Sequence, residues 1–149
     1  MKRVVGCLLV ALGLTACATG PSFQEAPPPL AGKALLYLMR PTVGGGSFWS
    51  TKFSVNGAPI VLLASGGYSW ISIDAGTYEI SAQYLHSEPL RIKITMPAGG
   101  ARYVAMRQGE TVNVGNGQRR DLLVELAPET ARIALAKLKY TEASATKGP

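Results

Sequence analysis

The segment that decides the fold is TYEISAQY at residues 77–84, followed after five residues by LRIKITM at residues 90–96. Apolar side chains occupy every second position of both stretches, and polar or charged side chains fill the positions between them. Successive side chains of a β-strand point to opposite faces of a sheet, so this alternation is typical of strands buried on one face. The short connection at residues 85–89 predicts that the two strands form a hairpin.

The chain on either side of this hairpin repeats the pattern of short strands and tight turns. Residues 34–39 are almost continuously apolar, which favours a strand covered on both faces. Glycine, asparagine or aspartate turns separate the segments, as at Asn56-Gly57 and at residues 74–76. The sequence therefore predicts a mainly β domain at residues 33–140, folded as a single antiparallel β-sandwich. Its further strands are expected at residues 52–55, 60–63, 68–73, 102–107, 111–114 and 121–126.

One helix is expected near the end of this domain. Pro128 suits a first helical position, and Ala131, Ala134, Leu135 and Leu138 form an apolar stripe at helical spacing. The stripe predicts that the helix packs on the sandwich. Residues 141–149 are small and polar and are expected to be disordered.

The first sixteen residues are typical of a secretory signal peptide. Lys2 and Arg3 precede an apolar run at residues 4–14, which is about half of the roughly 20 residues that a membrane-spanning helix needs. Leu14-Thr15-Ala16-Cys17 resembles the lipobox of bacterial lipoproteins. The resemblance implies cleavage before Cys17, a diacylglycerol on the Cys17 sulfur and acylation of the new amino group. The alternative is an ordinary signal peptide in which Cys17 is incidental.

Several acyl chains would hold the mature protein at a membrane without spanning it. Ala18 follows Cys17 where an aspartate would resemble an inner-membrane retention signal. We therefore expect the periplasmic face of the bacterial outer membrane, or the outer face of the plasma membrane in a bacterium with one membrane. Residues 17–32 contain four prolines and are expected to form a flexible tether that reaches roughly 45 Å when extended.

Composition limits the chemistry that is open to the mature chain. The full chain carries 15 basic and 9 acidic residues, and its only cysteines are Cys7 and Cys17. Cleavage before Cys17 leaves 133 residues with a net charge of +4, and lipidation of Cys17 leaves no free thiol. These expectations exclude cysteine-dependent catalysis and disulfides. The mild basic excess favours a solvated surface over a headgroup-binding patch, and nucleic acid is not an expected partner.

A family resemblance rests on two stretches within residues 33–108. Residues 34–41, ALLYLMRP, and the segment from Val55-Asn56-Gly57 to Thr77-Tyr78 are similar to small bacterial lipoproteins of unknown function. The second stretch also resembles prealbumin-like and carboxypeptidase-regulatory-like domains. The resemblance implies a β-sandwich and brings no catalytic residues. The loose Gly44-Gly45-Gly46 loop departs from the family pattern.

The residues that carry chemistry are few and scattered. His86 is the only histidine, and a metal site needs three or four ligands. Neither residues 44–47 nor residues 115–117 complete a phosphate-binding glycine loop. We therefore expect no enzyme activity, no metal and no cofactor beyond the acyl chains on Cys17.

Aromatic side chains are the best candidates for an interaction surface. Phe48 and Trp49 follow the triglycine loop, and Tyr68 and Trp70 lie on one predicted strand. Exposed aromatic residues are frequent at protein contacts, although they also cover the ends of cores. The sequence thus predicts a non-catalytic envelope module acting through protein contacts at the membrane. The alternative is a binder of a small envelope ligand, a glycan or a lipid headgroup.

Overall fold

The computed structural model describes residues 18–42, 49–84, 87–111 and 119–144. Within these ranges the chain forms nine β-strands and one α-helix. In chain order they are β1 Lys33–Arg40, β2 Thr51–Val55, β3 Ala58–Leu63, β4 Gly67–Asp74, β5 Gly76–Gln83, β6 Leu90–Met96, β7 Ala101–Thr111, β8 Arg119–Leu126, α1 Pro128–Leu135 and β9 Lys139–Tyr140.

The strands form two sheets that pack face to face, which confirms the mainly β sandwich. One sheet has five strands in the order β8-β7-β1-β4-β9, and the other has four in the order β3-β2-β5-β6. The predicted β5–β6 hairpin is present, and its register places Glu79 opposite Lys93 and Ile80 opposite Ile92. Most neighbouring strands are antiparallel, but β1 pairs in parallel with β7, and β4 in parallel with β9. The five-stranded sheet is therefore mixed.

Apolar side chains fill the space between the sheets. Leu36 and Leu38 of β1 meet Phe53 of β2 and Ile80 of β5 in this core. The alternate residues of β1, including Tyr37 and Met39, point to the opposite face, where they are equally buried. The prediction that residues 34–39 form a strand covered on both faces is thus confirmed.

Helix α1 covers part of this outer face of the five-stranded sheet. Pro128 lies in its first turn, where a missing N–H costs nothing, and Glu129 follows it there. Ala131, Leu135 and Leu138 of the predicted stripe are buried against the sheet, whereas Ile133 is exposed on the other side. The predicted helix is therefore confirmed, but it ends at Leu135, so Leu138 packs from the connection to β9 rather than from the helix.

Residues on either side of the sandwich domain are more ordered than the sequence suggests. Residues 18–32 lie along the outer face of the five-stranded sheet and form the layer next to α1. In the tail, the Thr141 N–H donates to the Tyr68 carbonyl at 2.8 Å, and Ala143 is 1% exposed. Thr141 and Ala143, within the tail that is expected to be disordered, thus contact the domain, and residues 145–149 lie outside the described part.

The sandwich has two ends that differ in their connections. At one end lie the entry to β1 and the turns at 56–57, 74–76 and 97–100; we call it the Asn56 end. At the other end lie Ala18, the last residue of β1, the first residue of β2 and the last residue of β5; we call it the Ala18 end. Residues 18–32 run from the Ala18 end to the Asn56 end, where the chain turns into β1.

Candidate functional site

The proline-rich residues 18–32 are fixed to the sheet through buried tyrosines. The Gln24 N–H donates to the Tyr68 hydroxyl at 3.3 Å, and the Ala26 N–H donates to the Tyr37 hydroxyl at 3.1 Å. Phe23 packs edge-on against the Tyr68 ring with centroids 5.6 Å apart. Four of the fifteen residues in this segment are prolines, which have no N–H, and the tyrosine hydroxyls accept from two of the backbone N–H groups that remain. The segment is therefore bound to the domain rather than a free tether.

Strand β9 holds the first part of the same segment. The Tyr140 N–H donates to the Pro21 carbonyl at 2.8 Å, and the Lys139 ammonium donates to the Ser22 hydroxyl at 2.8 Å. Gly20 passes so close that a Cβ there would overlap the Tyr140 carbonyl oxygen. A side chain at this position would push the segment off β9.

Segment and sheet together enclose an aromatic groove of about 340 Å³. Its floor is Tyr68, Trp70 and Tyr140, and ring centroids lie 5.5 Å apart for Tyr68–Tyr140 and 6.5 Å apart for Trp70–Tyr140. Burial is the main cause that raises the pKa of the Tyr140 phenol, with the nearby charge of Glu142 second. The wall is formed by residues of the docked segment: Pro21, Ser22, Gln24, Glu25, Ala26 and Pro27.

The three described members of the predicted aromatic interaction surface, Trp49, Tyr68 and Trp70, do not form one patch. Tyr68 is only 1% exposed because Phe23 covers it, whereas Trp70 is half-buried in the aromatic groove. Trp49 is 57% exposed and lies at the Ala18 end, just before β2. Phe48 lies outside the described residues. Tyr140 and the groove wall were missed, because only the three-dimensional fold brings the two ends of the chain together.

A second polar site lies at the Ala18 end, between the two sheets. Arg40 is completely buried, and its Nη1 donates to the Leu63 carbonyl at 2.9 Å. Its Nε and Nη2 have no hydrogen-bond partner among the described residues. Burial lowers the pKa of the Arg40 guanidinium, and the charge of Asp121 opposes this effect. Sequence reasoning missed this residue because arginines are rarely buried without a partner.

Asp121 is the acceptor at the centre of this site. One carboxylate oxygen accepts from the Tyr84 hydroxyl at 2.6 Å, and the other accepts from the Gly109 N–H at 2.8 Å. The hydrogen bond to Asp121 is the largest cause that raises the pKa of Tyr84. A depression of about 240 Å³ lies beside this pair and is also lined by Ser87, Glu88 and Leu90. Both Asp121 carboxylate oxygens thus accept hydrogen bonds from within the domain. The bond from Tyr84, which directly follows β5, joins β8 to the four-stranded sheet.

The remaining site predictions fall partly outside the described residues. His86 and both glycine-rich loops, at 44–46 and 115–117, lie there, as do Leu14, Thr15, Ala16 and Cys17. Within the described ranges, no three histidine, cysteine or acidic side chains gather as a group that could hold a metal ion. No helix in the described part of the chain is long and apolar enough to cross a membrane.

Comparison of the chain with protein-family models, with curated proteins and with solved structures finds no match. The resemblance to small bacterial lipoproteins and prealbumin-like domains accordingly stays a prediction from the residues that carry it.

Proposed function

We propose that this chain is a lipoprotein of the bacterial cell envelope, anchored through Cys17, most simply at the periplasmic face of an outer membrane. Its β-sandwich acts there as a non-catalytic module that contacts another envelope protein. The sequence of residues 1–17 supports the anchoring. The aromatic groove supports the contact, and it is the observation on which this part of the proposal rests.

Two features of the aromatic groove suit a protein partner. Trp70 and Tyr140 are only half-buried, although they lie on neighbouring strands of the five-stranded sheet. Tryptophan and tyrosine dominate the energetics of protein interfaces because they bring large apolar areas with few rotatable bonds. The wall is itself a proline-rich peptide, which is the type of chain that aromatic grooves bind. An extended segment of a partner could lie beside it on the same aromatic floor.

A small envelope ligand is the second candidate for the same groove. A volume of about 340 Å³ is at the lower end of ligand-binding sites, which start near 300 Å³. The described lining residues include Glu25 and no lysine or arginine. This composition favours a neutral glycan that stacks on Trp70 over an anionic lipid headgroup.

Anchoring is tested by replacing one cysteine at a time. We expect Cys17→Ser to abolish both lipid attachment, measured by mass spectrometry of the N-terminal peptide, and membrane fractionation. Cys7→Ser, ten residues earlier in the expected signal peptide, is the matched control and should leave both unchanged. A Cys17→Ser protein that still fractionates with membranes would contradict the anchoring.

The contact is tested by cross-linking in intact membranes. A photo-reactive phenylalanine analogue at Trp70 should join the protein to one partner of defined mass, and the same analogue at exposed Lys93 should not. Saturable glycan binding that is lost in Trp70→Ala, without any protein adduct, would decide for the second candidate. Equal cross-linking from both positions would refute a specific contact at the groove.

A further inference from the structure

The structure fixes the place at which the N-terminus leaves the domain. The Ala18 N–H donates to the Ser65 carbonyl at 3.1 Å. The Ala18 Cβ packs against Gly67 at the start of β4, at 3.5 Å from the position that a Cβ on Gly67 would take. Consecutive Cα atoms are about 3.8 Å apart, so the covalent chain alone holds Cys17 close to this point. A lipid on Cys17 would therefore emerge from the Ala18 end of the sandwich.

Most of the segment between Ala18 and β1 is bound to the domain, so it does not act as a free linker between the anchor and the sandwich. Residues 20–26 are held by β9, Tyr68 and Tyr37 through the contacts described above. The roughly 45 Å that residues 18–32 could span as an extended linker is used to cross the outer face of the sheet. The domain cannot move away from its anchor unless the segment first detaches.

The described surface of the Ala18 end suits a membrane interface. Trp49, just before β2, is 57% exposed, and Leu62, near the end of β3 on the outer face of the four-stranded sheet, is 59% exposed, so both offer apolar area to a neighbour. Exposed Lys52 lies directly opposite Leu62 on the adjacent strand. Tryptophan favours the boundary between headgroups and acyl chains, and lysine can extend its ammonium to phosphates.

The acidic groups at this end have different environments. Asp121 has both oxygens occupied by Tyr84 and Gly109, whereas Glu88 is exposed. The described charges are therefore mixed, and the apolar contacts of Trp49 and Leu62, together with the position of the anchor, carry the argument.

We infer that the Ala18 end is the membrane-facing surface of the protein and that Trp49 and Leu62 lie in the bilayer interface. This inference rests on the proposed anchoring through Cys17 and adds an orientation to it. The sandwich then stands end-on, with the Asn56 end pointing away from the lipid. The aromatic groove opens sideways, parallel to the membrane surface.

The two tryptophans of the chain provide a matched test, since Trp49 lies at the Ala18 end and Trp70 lies on the outer face of the sheet. Lipidated Trp70→Phe, which retains Trp49, and lipidated Trp49→Phe, which retains Trp70, are each reconstituted into phosphatidylethanolamine–phosphatidylglycerol vesicles with brominated acyl chains. We expect bromine to quench Trp49 several-fold more strongly than Trp70. Equal quenching of the two, or stronger quenching of Trp70, would overturn the orientation.

A second measurement covers the event that Trp70→Phe fails to fold. A fluorophore on Lys52→Cys, at the Ala18 end, should be shielded from an aqueous quencher by vesicles, and one on Ala98→Cys, at the Asn56 end, should not. Both positions are exposed in the free domain. Equal accessibility of both labels in vesicles would contradict the inference.

Failure of the anchoring and failure of the orientation give different results. Mass spectrometry of the N-terminal peptide and vesicle flotation report the lipid on Cys17 before any quenching is measured. An unlipidated protein refutes the proposed function. A lipidated protein that floats with vesicles but shows no difference between Trp49 and Trp70 refutes only the orientation.

Discussion

The two ends of this sandwich are built in different ways. At the Asn56 end the strands are joined by tight turns, and Asn56 and Gly57 have the positive φ angles of 46° and 81° that such a turn requires. The Asn56 side chain accepts from the Glu79 N–H at 2.9 Å and ties that turn to β5. At the Ala18 end the chain enters the domain, a guanidinium is buried, and Trp49 is exposed.

This difference separates the parts of the molecule that specify the fold from those that are available for function. Turns that satisfy their own backbone groups set strand register and leave little surface for a partner. The Ala18 end instead carries exposed apolar area and a buried guanidinium, two nitrogens of which have no hydrogen-bond partner among the described residues, and both features cost stability. Substitutions at the two ends should therefore change different properties.

The largest effect is expected from Arg40→Ala at the Ala18 end. It removes a fully buried side chain and the hydrogen bond to the Leu63 carbonyl, which joins the two sheets. We expect a loss of about 2–5 kcal/mol in the free energy of unfolding, as for other large-to-small core changes. Urea unfolding measures it.

The control for this change is Arg91→Ala. Arg91 forms an exposed ion pair with Glu79 at 3.3 Å. Pairs of this kind contribute about 0–1 kcal/mol. A loss in Arg40→Ala as small as that in Arg91→Ala would show that the buried guanidinium is not a structural link.

Gly20→Val should have the next largest effect, because it detaches residues 18–26 from β9. The segment would lose its hydrogen bonds to Tyr140, Tyr68 and Tyr37 and the burial of Phe23. We expect a loss of about 2–3 kcal/mol, roughly 1 kcal/mol per hydrogen bond, and new protease cleavage before residue 30. Ala31→Val, at an exposed position of the same segment, should show neither change.

A smaller effect is expected at the Asn56 turn, where two substitutions separate two causes. Asn56→Gly removes the hydrogen bond to the Glu79 N–H but still allows the positive φ angle. Asn56→Ala removes the same hydrogen bond and also disfavours the positive φ angle. We expect Asn56→Ala to cost about 1–2 kcal/mol and Asn56→Gly less. Both proteins should float with vesicles as the unmodified protein does, since the Asn56 end faces away from the lipid. Reduced flotation would contradict that assignment.

The smallest effect is a loss of stability in alkali. Burial is the main cause that raises the pKa of Tyr37 above 10.0, and the hydrogen bond to Asp121 is the main cause for Tyr84. The folded protein thus holds these protons more tightly than the unfolded chain. Stability is unaffected below the ordinary tyrosine pKa of about 10 and falls as the pH rises above it. Thermal unfolding between pH 8 and pH 11 should show a shallower alkaline decrease in Tyr84→Phe than in the unmodified protein; an equal decrease would rule Tyr84 out as a cause.

Much of the fold could be predicted from local pattern alone. The period of two located β5 and β6, the apolar run at 34–39 identified the strand buried on both faces, and the stripe from Ala131 to Leu138 identified α1. These features succeed because each depends on residues close in sequence. Of the predicted strand at 111–114, the structure describes only Thr111, which is the last residue of β7.

The features that sequence reasoning missed depend on contacts between distant parts of the chain. Residues 18–32 have the composition of a linker, yet tyrosine hydroxyls from β1 and β4 bind their backbone. Parallel pairing of β1 with β7 joins strands far apart in sequence and leaves no local signal. The aromatic groove needs Tyr140 beside Trp70, and the polar site needs Asp121 beside Tyr84, so neither could be assembled from spacing.

The pairing of Ser22 with Lys139 has a consequence for the order in which the molecule is made. Synthesis delivers residues 18–26 first, but the strand that holds them at Pro21 and Ser22 comes about 117 residues later. During that interval the first segment has no β9 to dock against. Residues 18–26 can therefore take their final position on the outer face of the sheet only after β9 has been synthesised and has paired with β4.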